Sequence, residues 1–503
     1  MIIPMDSERI LEDQTVIVER GRIAAFGPKD EVQIPPDAEV IEGGGAYLLP
    51  GLANMHAHLV DFDPDPGHMI LYLAGGVSTL RCLNTPWKTF QWREKVISGE
   101  WLGPTILLSG PVIAGIPREY RKLALGLRAA AVLALTVTGA ILFGLVLGAI
   151  WLLAGATAAE TFARGWVLPW LVVTLLAALA AVWRKLIPLT RLFAIIIPQA
   201  AVVETPAQAR AEVRRQAKEG VDFVKVYDYL SRDSYFAALA AAREAGIYAA
   251  GHIPDDPEVV STAEALKAGL NEIVHVDELV HEFLKDYTPG IQGWTEWEID
   301  MDRIDDIVHI VSESGAAVTA TLVTDETVLL GLEDREELFN RPEYQVVRPE
   351  IIDKWRSVGR FVNWQGQEKY RRERLRPLWN QLTEALHKRG VPILLGTDSG
   401  VEGIVSGRSE HKELALLVES GLTPFEALAG ATRDAAMITK RMGADGDWGT
   451  IAVGNRADLI LIAENPLEDV TNTEKLQGVM VRGDWYGKDE LADLVDEYLG
   501  QAV

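Results

Sequence analysis

Residues 129–159 carry no charged side chain, and neither do residues 165–183. No other feature of this 503-residue chain limits its fold so strongly. As a helix, the first run would exceed the roughly 30 Å hydrocarbon core of a bilayer, and the second would nearly cross it. Glu160, Thr161 and Arg164 lie in the short connection between them. The two runs therefore read as a transmembrane helical hairpin with both ends on one side. Arg118, Arg121, Lys122 and Arg128 precede the first run, and Arg184, Lys185 and Arg191 follow the second. That basic flank places both ends, and the rest of the chain, in the cytoplasm. Trp151, Trp166, Trp170 and Trp183 sit where interfacial anchors are expected. The alternative is a hairpin buried in a soluble protein, but soluble helices keep charge on their outer face. Leu186 to Val203, apolar around one Arg and two Pro, fits either an interfacial segment or ordinary buried chain.

The rest of the composition is that of a folded domain. Apolar residues make up 48% of the chain and charged residues 24%, which excludes a disordered polymer. A net charge of -24 excludes binding to nucleic acid by phosphate neutralisation. Cys82 is alone, so neither an intrachain disulfide nor a thiolate zinc site is possible. Charges throughout the first 30 residues argue against a signal peptide.

Short β-branched runs such as Thr15 to Val18, followed by a Glu19-Arg20-Gly21-Arg22 turn, mark strands near the start. Similar strands return in GTIAVGNRADLILIAENP and GVMVRGDWYG near the end. Residues 1–45 and 446–492 are thus expected to share one small β-sandwich, with 493–503 as a tail. Between them, apolar runs alternate with helical patterns every 25–35 residues or so. Examples are VDFVKVY, SYFAALAAAREAG, IYAAGHIP, STAEALKAG and NEIVHVDE. Repeated strand–helix units predict a parallel (β/α)8 TIM barrel over 46–120 and 201–445, interrupted by the hairpin at 121–200. PTILLSGPVIAG reads as its third strand and VDFVKVY as its fourth. The hairpin would then leave the barrel from the rim at the carboxyl ends of the strands, turned toward the bilayer.

Ionisable residues recur at those strand ends. His56 and His58 close an apolar run, and residues two apart on a strand face one side. Lys225 lies inside VDFVKVY, where a free ammonium would be expensive to bury. His252, His275 and Asp398 each end a further predicted strand. Imidazole, amine and carboxylate groups at one rim suit one or two divalent metals of hard or borderline character. Tyr227, two residues after Lys225, shares its face and is a weaker candidate for donating to an oxyanion.

The set PGLANMHAHL, DFVKVY, GH, VH and GTDSG resembles the amidohydrolase superfamily, and within it the imidazolonepropionase-like and Xaa-Pro dipeptidase-like branch. GRIAAFGP, GTIAVGNRADLILI and HKELALLVESGLTPFEALAGAT extend the likeness to about 420 residues, everything outside the insertion. The resemblance implies two divalent ions, zinc in the first place and manganese or another metal otherwise. His56, His58 and Asp398 would hold one ion and His252 and His275 the other, bridged by a CO2-derived carbamate on Lys225. It implies hydrolysis of an amide by a metal-bridging hydroxide, with Asp398 as the general base. The chain departs from the family at Arg81-Cys82, where Arg-Asp is common; Cys82 reads as an apolar filler or a site thiol. His411, soon after the last strand, is a possible substrate contact, and the remaining histidines read as surface or packing residues.

The expected substrate is a small peptide-like or N-acyl amide, with an amphiphilic, lipid-derived one favoured by the hairpin. The expected partners are the bilayer and further copies of the chain in a homo-oligomer, with no nucleic acid. A dipeptidase of the Xaa-Pro type, a mononuclear deaminase or cyclic-amide hydrolase, and an inactive membrane receptor or scaffold are the competing readings.

Overall fold

The computed structural model describes residues 1–59, 65–116, 118–161, 200–254, 260–285, 298–357 and 360–500, with 163, 165, 166, 169 and 172–174. An antiparallel pair, β1 (Gln14–Glu19) and β2 (Arg22–Pro28), opens the chain. β3 (Tyr47–Pro50) leads into β4 (Leu52–Ala57), β5 (Val77–Cys82) and β6 (Thr105–Leu108), which pair in parallel in that order. Two short strands, β7 (Ile113–Ala114) and β8 (Ala201–Val202), pair across the root of the insertion. Next come β9 (Phe223–Val226), β10 (Tyr248–Gly251), β11 (Glu272–Val274), β12 (Ala317–Thr319) and β13 (Ile393–Leu394), parallel neighbours in sequence order. Finally β14 (Leu459–Ile462), β15 (Leu476–Val481) and β16 (Asp484–Gly487) join β3 in an antiparallel sheet of order β16-β15-β14-β3.

Two seams connect the parallel sets. Ser109 bridges to Phe223, and the Asp222 amide donates to the Leu108 carbonyl at 2.9 Å. Ala57 bridges to Ser399, and the Met55 amide donates to the Leu395 carbonyl at 2.8 Å. The parallel strands thus run in a ring from β4 through β6 and β9 to β13 and back to β4. Strands β4, β5 and β9 to β13 are buried along their whole length, as strands covered by helices on one side and packed side chains on the other must be. The α/β class with a parallel sheet is as the alternating units imply.

The helices between strands begin and end on local chemistry. Thr205 and Gln208 form a reciprocal capping box at the start of helix Pro206–Glu219, Pro206 presets its first turn, and Gly220 ends it at φ 81°. Ser231 caps helix Arg232–Ala245 by accepting from the Ser234 amide, and Ser261 and Glu264 form a second reciprocal capping box at the start of Thr262–Ala268.

PTILLSGPVIAG is two strands rather than one. Pro111 lacks the amide that a continuing ladder needs, and Ser109 to Val112 separate β6 from β7. β7 then pairs with β9 through Ile113 and Val226.

The insertion leaves immediately after β7. Helix Arg118–Ala154 spans 37 residues, and its segment Val137–Ala154 is long and apolar enough to cross a membrane. Leu145 and Leu153 on it are 65% and 88% exposed. Most of the second uncharged run lies outside the described residues, as do 186–199. Thr174 comes back against the helix: a Cβ on Gly139 would lie 2.1 Å from its Cγ2.

Candidate metal centre

His56 closes β4 and His58 follows it. Lys225 lies in β9, His252 and His275 directly follow β10 and β11, and Asp398 lies four residues beyond β13. The ring brings all six to the carboxyl ends of its strands. His56 Nε2 and His58 Nε2 are 3.2 Å apart and lie 3.2 and 2.9 Å from Asp398 Oδ1. Two nitrogens bound to one tetrahedral ion at about 2.0–2.1 Å would be roughly 3.3 Å apart, so this spacing suits a shared divalent ion. The His275 ring centroid lies 4.5 Å from that of His56 and 4.9 Å from that of His252.

The donors divide differently from the family-based expectation. His56, His275 and Asp398 each offer an atom within 4.8 Å of the others, and so do Asp228, His252 and Glu278. His275 thus joins the first set, because it turns back at φ 79° with Nδ1 2.7 Å from Thr321 Oγ1. His252 instead places Nδ1 3.2 Å from Asp228 Oδ1 and 3.0 Å from Glu278 Oε1, and its buried Nε2 has no hydrogen bond. Lys225 Nζ is likewise buried without a hydrogen bond. A buried imidazole nitrogen and a buried amine, both without a hydrogen bond beside several carboxylates, fit a site built to hold a divalent cation.

The backbone around these groups is held under tension. Asp398 sits at φ 56°, a left-handed conformation unfavourable for a non-glycine residue. Asn54 restrains it from β4: its Oδ1 accepts from the amides of His56 and Thr397 at 3.0 and 3.2 Å, while Nδ2 donates to Thr397 Oγ1 and Glu410 Oε1, both at 2.7 Å. Inside the ring, Arg81 is fully buried against Glu272 and donates to the Met55 carbonyl at 2.7 Å.

Electrostatics separate the two sets. Burial pushes His56 and His275 well below the usual imidazole range, more than Asp398 can restore. Burial would raise Asp398, but His56, His58 and Arg360 hold it well below the usual carboxylate range. Burial also lowers Lys225, to about 8, against the opposing pull of Glu278, Asp398 and Asp228. For His252 burial is outweighed by Glu278 and Asp228, which carry it up to about 9.

Residues 165–486 match the pattern of the amidohydrolase family. The chain belongs to the amidohydrolase family. Imidazolonepropionase of Idiomarina loihiensis is 43% identical over 51 residues, which is 10% of this chain and 12% of that protein. Enamidase of Eubacterium barkeri is 32% identical over 95 residues, or 18% and 24% of the two chains. These alignments span a quarter or less of either relative. The crystal structure of a Xaa-Pro dipeptidase with bound methionine superposes with a TM-score of 0.61 over 97% of this chain and 98% of the other, at 19% identity, a likeness of fold.

Within this amidohydrolase family fold, the Tyr227 ring centroid lies 4.3 Å from that of His252, with the two rings tilted by 41°. Cys82 is buried in the core. His411 turns its Nδ1 to Thr473 Oγ1 at 2.8 Å and joins neither donor set. Three site residues went unnoticed in the sequence. Asp228 lies one position beyond Tyr227, and Glu278 follows His275 by three, one turn along the short helix Val276–Phe283. Arg360, whose Nη2 is 3.0 Å from Asp398 Oδ2, comes from the helical segment between β12 and β13, 38 positions away in the chain, and no motif marks it.

Proposed function

We propose that this protein is a membrane-anchored, metal-dependent hydrolase of amide bonds with a binuclear centre. The observation that carries the reading is the position of Lys225: its unpaired Nζ is drawn on by Asp398 of one donor set and by Asp228 and Glu278 of the other. His56, His58, His275 and Asp398 would hold one ion and His252 the second, with Asp228 and Glu278 beside it. A carbamate formed on Lys225 by CO2 turns an amine into an anionic oxygen ligand able to serve both. When bound, zinc or manganese ions activate water and polarise the scissile carbonyl. Asp398, whose Oδ2 accepts from Arg360 at 3.0 Å, would take a proton from the attacking water and return it to the leaving nitrogen. Tyr227 offers its phenol to the developing oxyanion. The substrate is a peptide-like or N-acyl amide. Helix Arg118–Ala154 and its basic flank support anchoring with the ring on the cytoplasmic side.

A mononuclear deaminase or cyclic-amide hydrolase is the second reading, favoured by the closeness of His275 to the first donor set. Metal analysis and a hydrolysis screen on the detergent-solubilised protein separate the two. About two ions per chain, a carbamate on Lys225 and loss of activity in Lys225→Ala support the binuclear reading. One ion per chain and an active Lys225→Ala variant support the other. Asp398→Asn is expected to lower kcat by at least 10²–10⁴-fold with the fold retained; near-normal kcat would remove Asp398 as the base.

A further inference from the structure

Arg360 reaches the candidate metal centre from helix Arg360–Asn363, in the long segment between β12 and β13. The segment holds it firmly. Phe361, the next residue, is fully buried, and its carbonyl accepts from Arg335 Nη2 at 2.6 Å. The Arg360 guanidinium carbon lies 5.9 Å from the centre of the Trp364 ring, which Arg371 also covers at 4.1 Å. Arg371 is in turn tied to Asp325 Oδ1 at 3.0 Å. The charge of Arg360 is felt across the site. Burial lowers His275 and Arg360 adds to the effect, whereas burial raises Tyr227 and Arg360 opposes it. The guanidinium therefore stands beside the groups that would meet a substrate.

Its hydrogen bonding is far from complete. Nη2 donates to Asp398 Oδ2 at 3.0 Å, and among the described residues this is the only hydrogen bond and the only ion pair that Arg360 makes. A guanidinium carries five N–H donors in a rigid fork. Four of them are left over, on a side chain that is 28% exposed. Whichever hydrogen of Nη2 serves Asp398, one edge with two parallel N–H groups stays open, the shape that a carboxylate fills with two bonds. Asp398 itself does not fill that edge, because its Oδ1 lies 2.9 Å from His58 Nε2 and 3.2 Å from His56 Nε2, on the side of the ion site.

We propose that Arg360 binds a carboxylate of the substrate and so selects amides that carry one. The inference rests on the amide-hydrolase reading and deepens it. Arg360 touches Asp398, which borders the attacking water in that reading, so the carboxylate must stand within a few bonds of the scissile amide. N-acyl amino acids and dipeptides with a free carboxylate meet that condition; amides without a nearby negative charge do not.

The test uses full-length, metal-loaded protein and a set of N-acyl amino acids and dipeptides, each paired with its C-terminal carboxamide, which keeps the shape and removes the charge. The expected kcat/KM is about tenfold to a hundredfold higher for the carboxylate member of a pair. Arg360→Gln is expected to bring that ratio near one, with the loss falling on the carboxylate member. Arg360→Lys keeps the charge without the fork and is expected to retain only part of the ratio. The ratio is read within each variant, so a general loss of fold or metal, which lowers both members alike, does not imitate the effect. Where a variant turns over neither member, the ratio of calorimetric affinities for the pair is read instead. A wild-type ratio near one, or a ratio unchanged in both variants, overturns the proposal. If the wild-type protein hydrolyses no amide, the hydrolase reading fails separately, and calorimetric binding of the same pairs decides the role of Arg360. Tighter binding of the carboxylate member that is lost in Arg360→Gln upholds it; equal affinity within the pairs, or no binding, overturns it.

Discussion

Arg81 and Glu272 show what single residues contribute beneath the candidate centre. Both are fully buried, Arg81 on β5 and Glu272 on β11, and each neutralises a charge that the ring interior could not otherwise hold. Arg81→Met leaves Glu272 without its partner and is expected to lower stability by about 3–5 kcal/mol, read from denaturant unfolding. Glu413 poses the converse case. It accepts from the amides of Leu322 and Val323 at 3.0 and 2.6 Å, yet burial pushes its carboxyl up to about 8. The folded state therefore binds this proton more tightly than the unfolded chain does. The resulting stability is full below the unfolded carboxyl range and is lost as pH rises from about 5 through 8. Glu413→Gln, which cannot ionise, is expected to show a shallower loss over that window; an unchanged slope would mean that Glu413 does not carry it. The residues legible beforehand were those whose spacing encodes direction. His56 and His58, two apart at the end of a strand, were expected to face one side, and their Nε2 atoms lie 3.2 Å apart. Asp228, Glu278 and Arg360 lie on turns and helices beyond strand ends, where no alternation states which way a side chain points.

At the level of elements, the register of β9 against β10 sets the distance between Lys225 and His252. Ala250 is the partner of Lys225, and Gly251 is the partner of Val226. Gly251 has φ 150°, and a Cβ there would lie 2.0 Å from the Val226 carbonyl oxygen. Gly251→Ala is expected to force the two strands apart, weakening metal affinity as well as stability, with metal content after dialysis as the readout. Gly246→Ala is the control. Gly246 ends helix Arg232–Ala245 at φ 66° with no atom within 4 Å of an added Cβ, so its cost of roughly 1 kcal/mol should leave the metal content unchanged. The root of the insertion belongs to the same neighbourhood. The Ile113 carbonyl accepts from the Tyr227 amide at 3.0 Å, and the Gly115 amide donates to the Asp228 carbonyl at 3.1 Å. The helix caps at Thr205, Ser231 and Ser261 were readable because capping is local chemistry. The division between β6 and β7 was less readable, since Pro111 interrupts a run whose hydrophobicity is otherwise continuous.

For the whole molecule, the apolar helix and the ring are separable in one respect and joined in another. A chain lacking 123–200 keeps β7 and β8, the hydrogen bonds to Tyr227 and Asp228, and every donor of both sets. It is expected to leave the membrane fraction on detergent-free extraction while retaining bound metal; full-length protein recovered soluble without detergent would contradict the membrane reading. Chain order and hydrophobic period determined the α/β class, the strand ends where ionisable groups gather, and the place where the apolar run interrupts them. These follow from local rules, since strand alternation, helix caps and uncharged length act over a few neighbouring residues. The grouping of His275 with His56 and Asp398, the carboxylates around His252 and the arginine on Asp398 were decided only by the tertiary structure. Each of them joins segments tens to hundreds of residues apart, and the distance between such segments is set by how the ring closes and how its helices pack, which no local pattern in the chain records.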